Sequence, residues 1–114
     1  MTARAYSSEV ARSVAASRAC QAACEASVLR LSAQGLAPSS APVRLLRQCA
    51  ELCALHVLAL QRGSRLVRRT ALLCSELCNQ VARESWLSAG EASAALARAA
   101  VQAARAARPL SLRG

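Results

Sequence analysis

The sequence predicts an all-α protein: a single domain folded as an antiparallel, up-down-up-down four-helix bundle. Three observations lead there. First, Ala, Leu and Val dominate a 114-residue chain that is 54% hydrophobic, while aromatic residues make up only 2% and Ile and Phe are absent. Ala and Leu favour helices, and a sheet would want the β-branched and aromatic residues this chain lacks. Second, helix breakers occur in three places only: Gly35 to Pro42, Gly63-Ser64, and Leu87 to Gly90. Third, the segments between them carry inner stripes at helical spacing, clearest in the second, where the steps alternate between three and four, the signature of one buried helix face.

The first segment, roughly residues 5–34, offers Val14, Ser17, Cys20, Cys24 and Val28 as its inner stripe. It is about two turns longer than the others, so its N-terminal part is expected to bend away or form a separate short helix. The second, 42–62, follows Ser40 and begins at Pro42, a residue tolerated in a first helical turn. Its stripe is Leu46, Cys49, Cys53, His56 and Leu60. The third, 64–85, starts at Ser64 as a potential cap and buries Val67, Ala71, Cys74, Cys78 and Val81. The fourth, 89–108, opens on Ser88-Ala89-Gly90-Glu91, which matches the S-x-x-E capping box. Ala95, Leu96, Ala99 and Gln102 are its expected inner residues, with Arg98 and Arg105 on another face and 109–114 as a tail. Short loops make neighbours antiparallel, and Trp86-Leu87 reads as an apolar plug at the last turn.

The most specific signal is the cysteines. All six fall in C-x-x-x-C pairs, Cys20/Cys24, Cys49/Cys53 and Cys74/Cys78, with one pair on each of three helices. Residues i and i+4 share a helix face, so every pair points the same way. Counting residues from the turns gives two stacked layers, Cys20/Cys53/Cys74 and Cys24/Cys49/Cys78, ~6 Å apart at the helical rise. Structural zinc and iron–sulfur sites usually draw on C-x-x-C runs in loops. Thiolates lining a rigid helical core suit Cu(I), a soft ion. His56, one turn beyond Cys53 on the same stripe, is a candidate ligand at the end of the stack. Disulfides are disfavoured, because a C-x-x-x-C pair within one helix has poor geometry for one. Glu25, Glu51 and Glu76 read as surface charges.

Charge and hydropathy narrow the function classes. Every positive side chain is Arg, fifteen against six Glu, for a net charge of +9. Such a balance suits anionic partners, but no nucleic-acid signature accompanies it, so nucleic acid is an expected partner only under an alternative reading. The longest apolar stretch, Leu52 to Leu60, falls well short of the about 20 residues a membrane span needs. No signal peptide is visible, which points to the cytoplasm, where thiols stay reduced. No nucleophile–base pair suggests an enzyme.

The segment QCAELCALHVLALQRGSRLVRRTALLCSELCNQVARE resembles the cysteine-rich four-helix-bundle copper storage proteins of bacteria. Cys49, Cys53, Gly63, Ser64, Cys74 and Cys78 fall on that family's recurring elements, and Cys20/Cys24 match its first-helix pair. The resemblance covers roughly residues 15 to 85. It implies a bundle that fills with Cu(I) between inward-facing thiolates and that assembles as a homo-oligomer, a dimer or tetramer. Family members carry more cysteines, including pairs on the fourth helix, where this chain has none. At two unshared thiolates per ion, six cysteines hold about three Cu(I), and bridging raises that number. The expected function is therefore Cu(I) storage, buffering or sequestration by Cys20, Cys24, Cys49, Cys53, Cys74 and Cys78, with His56. A thiol-based metal or redox regulator, and a zinc or iron–sulfur bundle, are the alternatives. With Ala at its inner positions, helix 4 is expected to act as an apolar wall, and Cys at Ala95 and Ala99 to create a fourth pair.

Overall fold

A computed structural model of the chain describes residues 3–85 and 90–113, and every element in it is helical. The helices are α1 (Ala3–Ala33), α2 (Ala41–Arg62), α3 (Val67–Ser85) and α4 (Glu91–Ser111). Each packs on its sequence neighbour, and α1 also packs on α4, closing a four-sided bundle with α4 diagonal to α2. The architecture is the one read from the breakers.

Three boundaries differ from the sequence expectation. α1 is one continuous helix of 31 residues rather than a bent or broken one, and it runs nearly the full 48 Å length of the molecule. α3 starts three residues after Ser64. Gly63 adopts the left-handed conformation that ends α2, and the Ser64 amide bonds back to Ala59 O. The chain then makes one more turn, in which Ser64 Oγ accepts from the Leu66 amide, before the helix begins. Residues 109–111 belong to α4 instead of a tail. Pro109 sits in the last turn, where only two helical residues follow it, and Leu110 beyond it is 1% exposed. Ser40 does stand at the N-cap of α2, but through its backbone alone, with no side-chain capping bond. The expected cap Ser88 and the Trp86-Leu87 plug lie outside the described residues.

The inner faces of α2 and α3 are those predicted, all ten residues being buried. On α1 the stripe keeps Ser17, Cys20 and Cys24 but continues through Ser13 and Ser27, while Val14 and Val28 are only partly buried. On α4 the expected face is one residue out of phase. Ala95 and Gln102 are exposed and Ala99 is partly covered, whereas Leu96, Ala100, Ala103, Ala107 and Leu110 face the core. In an Ala-rich helix, alanine fits either face, so periodicity carries little phase information. Arg98 and Arg105 point outward as expected.

Candidate metal centre

All six cysteines are free thiols with no solvent exposure, and they converge on the bundle axis. Cys20 Sγ lies 4.0 Å from Cys49 Sγ and 3.8 Å from Cys78 Sγ, and Cys49 and Cys78 are 3.7 Å apart. Next to this triangle is another: Cys53 lies 3.9 Å from both Cys74 and Cys78, which are themselves 3.8 Å apart. Cys78 belongs to both. Cys20, Cys49, Cys53 and Cys78 form a group whose sulfurs all lie within 4.8 Å of one another.

This corrects the two-layer expectation. The relation of α2 to α3 is as counted, with Cys53 beside Cys74 and Cys49 beside Cys78. α1 is shifted by one turn, so Cys20 joins Cys49 and Cys78, and Ser17 Oγ takes the place beside Cys74 at 4.0 Å. The cause is the first loop. Gly35 is left-handed at φ 93°, and the Leu36 amide bonds back to Leu31 O, so the chain doubles back along α1 before α2 starts. The loop carries the chain one turn further back along α1 than the count allowed. The thiols thus form one continuous column, with Cys24 at one end beside Cys20 and Cys49, and Cys74 at the other.

Below Cys74 the column continues as hydrogen-bonding groups. His56 is fully buried and bonded at both ring nitrogens. Its Nδ1 lies 2.8 Å from Thr70 Oγ1, and that hydroxyl donates its one proton to Val67 O at 3.1 Å. Thr70 therefore accepts from Nδ1–H. In the neutral ring Nε2 then carries the lone pair and accepts from Ser13 Oγ at 3.1 Å. Burial, offset in part by the charge of Cys74, holds the His56 pKa below its ordinary value. His56 sits beyond the end of the thiol stack as predicted, but outside the four-sulfur group.

The buried thiols share protons. S–H donation from Cys24 and then Cys49 holds Cys20 below the ordinary thiol pKa, and donation from Cys53 and Cys78 brings Cys74 down to about 4. The donors Cys24 and Cys78 are correspondingly pushed up, first by their bonds to Cys20 and then by other thiols and burial. The sulfurs are thus paired as S–H donors and acceptors within the array, and a metal that binds there displaces their protons. Sequence reasoning missed Ser13 and Thr70 as partners of His56. Ser13 was within reach, since 13, 17, 20 and 24 continue one helical stripe. Glu25, Glu51 and Glu76 are exposed, away from the column.

α4 closes the fourth side without a ligand. Leu96 lies near Leu46 and Val81 at one end and Leu110 near Val67 at the other. Between them, by helical register, Ala100 falls opposite Cys20/Cys49/Cys78 and Ala103 opposite Cys53/Cys74, both fully buried.

A family model described as copper storage protein matches residues 5–111. Among solved structures, the Cu(I)-bound copper storage protein BsCsp3 superposes with a TM-score of 0.80 at 25% identity, covering 90% of this chain and 98% of that one. The apo form of copper storage protein 3 from Bacillus subtilis gives a TM-score of 0.77 at 26% identity, with 88% and 96% covered. No curated protein sequence matches significantly.

Proposed function

The chain belongs to the copper storage protein family, and from that premise we propose that it takes up Cu(I) as cargo on the thiol column and holds it without turnover. The observation that carries this reading is the column itself: six fully buried free thiols, five of them with neighbouring sulfurs 3.7–4.0 Å apart, enclosed by helices that leave no sulfur open to solvent. Soft thiolates with no hard oxygen ligand favour Cu(I), and shared sulfurs such as Cys78 suit bridged ions. Cys20, Cys49, Cys53 and Cys78 are the central ligands, with Cys24 and Cys74 extending the column in opposite directions. His56 is the terminal ligand, through the Nε2 lone pair now held by Ser13.

A second reading has its own observation. A tetrahedral ion with bonds of about 2.3 Å to sulfur spaces its ligands about 3.8 Å apart, and the four-sulfur group approaches that spacing, so a single Zn²⁺ fits there. It leaves Cys24 and Cys74 unexplained. Titration of reduced protein with Cu(I) against a chromophoric chelator, in the presence of Zn²⁺, separates the two. More than one tightly held Cu(I) per chain supports the column; less than one, or saturation at a single Zn²⁺ that Cu(I) fails to displace, overturns it.

Two finer features go with the reading. Free thiols in this number belong in a reducing compartment, the cytoplasm. No helix among the described residues is long and apolar enough to cross a membrane. The assembly is a homo-oligomer, a dimer or tetramer. Its support is the outer face of α2 and α3, where Leu55, Leu58, Leu72 and Leu73 are 41–50% exposed.

A further inference from the structure

The positive charge is concentrated at one end of the bundle. That end comprises α1 through Ser17, α2 from Leu52, the α2–α3 turn, α3 through Ser75, and the chain from Gln102 to Arg113. It carries nine arginines against the lone Glu9; the other half carries six arginines against five glutamates. At the positive end lies a cavity of about 640 Å³ walled by Arg65, Arg68, Arg69 and Arg113, with Ser64 and Tyr6. Arg113 is fixed there, donating to Glu9 Oε2 from Nε at 2.9 Å while its guanidinium sits 5.5 Å from the centroid of the Tyr6 ring. Arg65, Arg68 and Arg69 are exposed and make no ion pair among the described residues. The cavity adjoins the His56 end of the thiol column: Val67 lines it, and Val67 O accepts from Thr70, the partner of His56.

This charge is the wrong sign for a free cation. An end with nine arginines repels aquated or cationic copper and attracts anions. Two thiolates on Cu(I) make an anion, and carboxylates on the thiol add to its charge. Guanidinium groups in a fixed cluster pair with carboxylates two bonds at a time. We propose that the arginine cavity docks a carboxylate-bearing low-molecular-weight thiol, so that Cu(I) reaches the column as an anionic bis-thiolate complex. The inference rests on the Cu(I) reading above. The transfer is ligand exchange without redox change. Two Cu–S bonds to the carrier break and two to protein sulfurs form, the protons of two cysteine thiols pass to the two departing carrier thiolates, and copper stays Cu(I).

The test uses the charge-reversed variant R65E/R68E/R69E and the control R44E/R47E/R83E, which makes the same charge change with exposed arginines outside the positive half. At low ionic strength, the rate of Cu(I) uptake from the glutathione complex should fall at least about tenfold in the first variant and less than about twofold in the control. Uptake from cationic Cu(I)–acetonitrile should not fall in either. Equal losses in the two variants with glutathione, or no loss in the first, overturn the docking site. A copper-free arm stands apart from the storage reading: S-methylglutathione should shift the backbone resonances of residues 64–69 in the wild type and not in R65E/R68E/R69E. Absence of those shifts, or equal shifts from inorganic phosphate at the same concentration, also overturns it. If wild type holds less than one Cu(I) at the end point from either donor, the storage reading fails, whatever the copper-free arm gives.

Discussion

Cys78 is the residue on which the column turns. Its sulfur lies within 4 Å of four others, Cys20, Cys49, Cys53 and Cys74, whereas Cys24 stands at the end of the array. A serine hydroxyl is a hard, weak ligand for Cu(I), so Cys78→Ser removes a bridge as well as a donor. It is expected to lower the number of tightly held Cu(I) ions by about one to two per chain, and Cys24→Ser by about one at most. Chelator competition reads both, and equal losses would mean the sulfurs act independently. His56 makes a separate prediction for the metal-free protein. Its folded pKa lies below the ordinary 6.5, so in acid the unfolded chain binds a proton that the folded one refuses. The stability contributed by the neutral ring is complete above 6.5 and is lost as pH falls below it. The urea midpoint should therefore drop between about pH 7.5 and pH 5, and His56→Gln should flatten that drop. An unchanged slope in the variant would assign the acid sensitivity to other groups.

At the scale of the helices, legibility followed residue contrast. α2 and α3 were readable to the residue because the C-x-x-x-C pairs mark one stripe, which Leu46, Leu60, Val67 and Val81 extend at the same spacing. The C-x-x-x-C spacing placed all six thiols on inner faces for the same reason. α4 was legible as a helix but not in phase, since alanine occupies both of its faces and Leu96 alone did not discriminate between adjacent frames. The α1 register was lost for a different reason: the reversal at Gly35 and Leu36 is a backbone event, and counting residues cannot reveal that a loop runs back along its helix. The corrected phase changes an engineering expectation. Ala95 is exposed and Ala99 only half-covered, so cysteines there face away from the column. Ala100 and Ala103 form an inward i, i+3 pair level with the two sulfur triangles. Ala100→Cys/Ala103→Cys is expected to raise Cu(I) capacity by about one ion per chain, and Ala95→Cys/Ala99→Cys to leave it unchanged. Each added sulfur enters a packed site and costs up to about 1–3 kcal/mol in the metal-free protein. The reverse ranking in a Cu(I) titration would place the inner face of α4 where the sequence alone first suggested.

Taken as a whole, the molecule is built to be completed by its cargo. The core is made of thiols, alanines and a few valines and leucines, with no aromatic side chain among its described buried residues. Small side chains bury little apolar area each, so the metal-free bundle gains little from its centre. The fully buried Ser13, Ser17 and His56 add hydrogen bonds rather than hydrophobic stabilisation. The charge distribution works in the same direction, since the nine arginines at one end repel one another across it. Cu(I) binds the folded column and has no comparable preassembled site in the unfolded chain, where the six cysteines are dispersed. An ion present at a thousand times its dissociation constant stabilises the fold by about 4 kcal/mol, and in a domain of this size each kcal/mol moves the melting temperature by about 4–8 °C. Loading should thus raise the melting temperature by at least about 15 °C for the first tightly bound ion, with further gains until the column is full. Added salt should raise the midpoint of the metal-free protein by screening the arginine-rich end. Thermal unfolding followed by circular dichroism under anaerobic conditions, at successive copper equivalents, measures both effects. A melting temperature that does not change with copper would mean that the ions sit on the outside of the bundle and not in its axis.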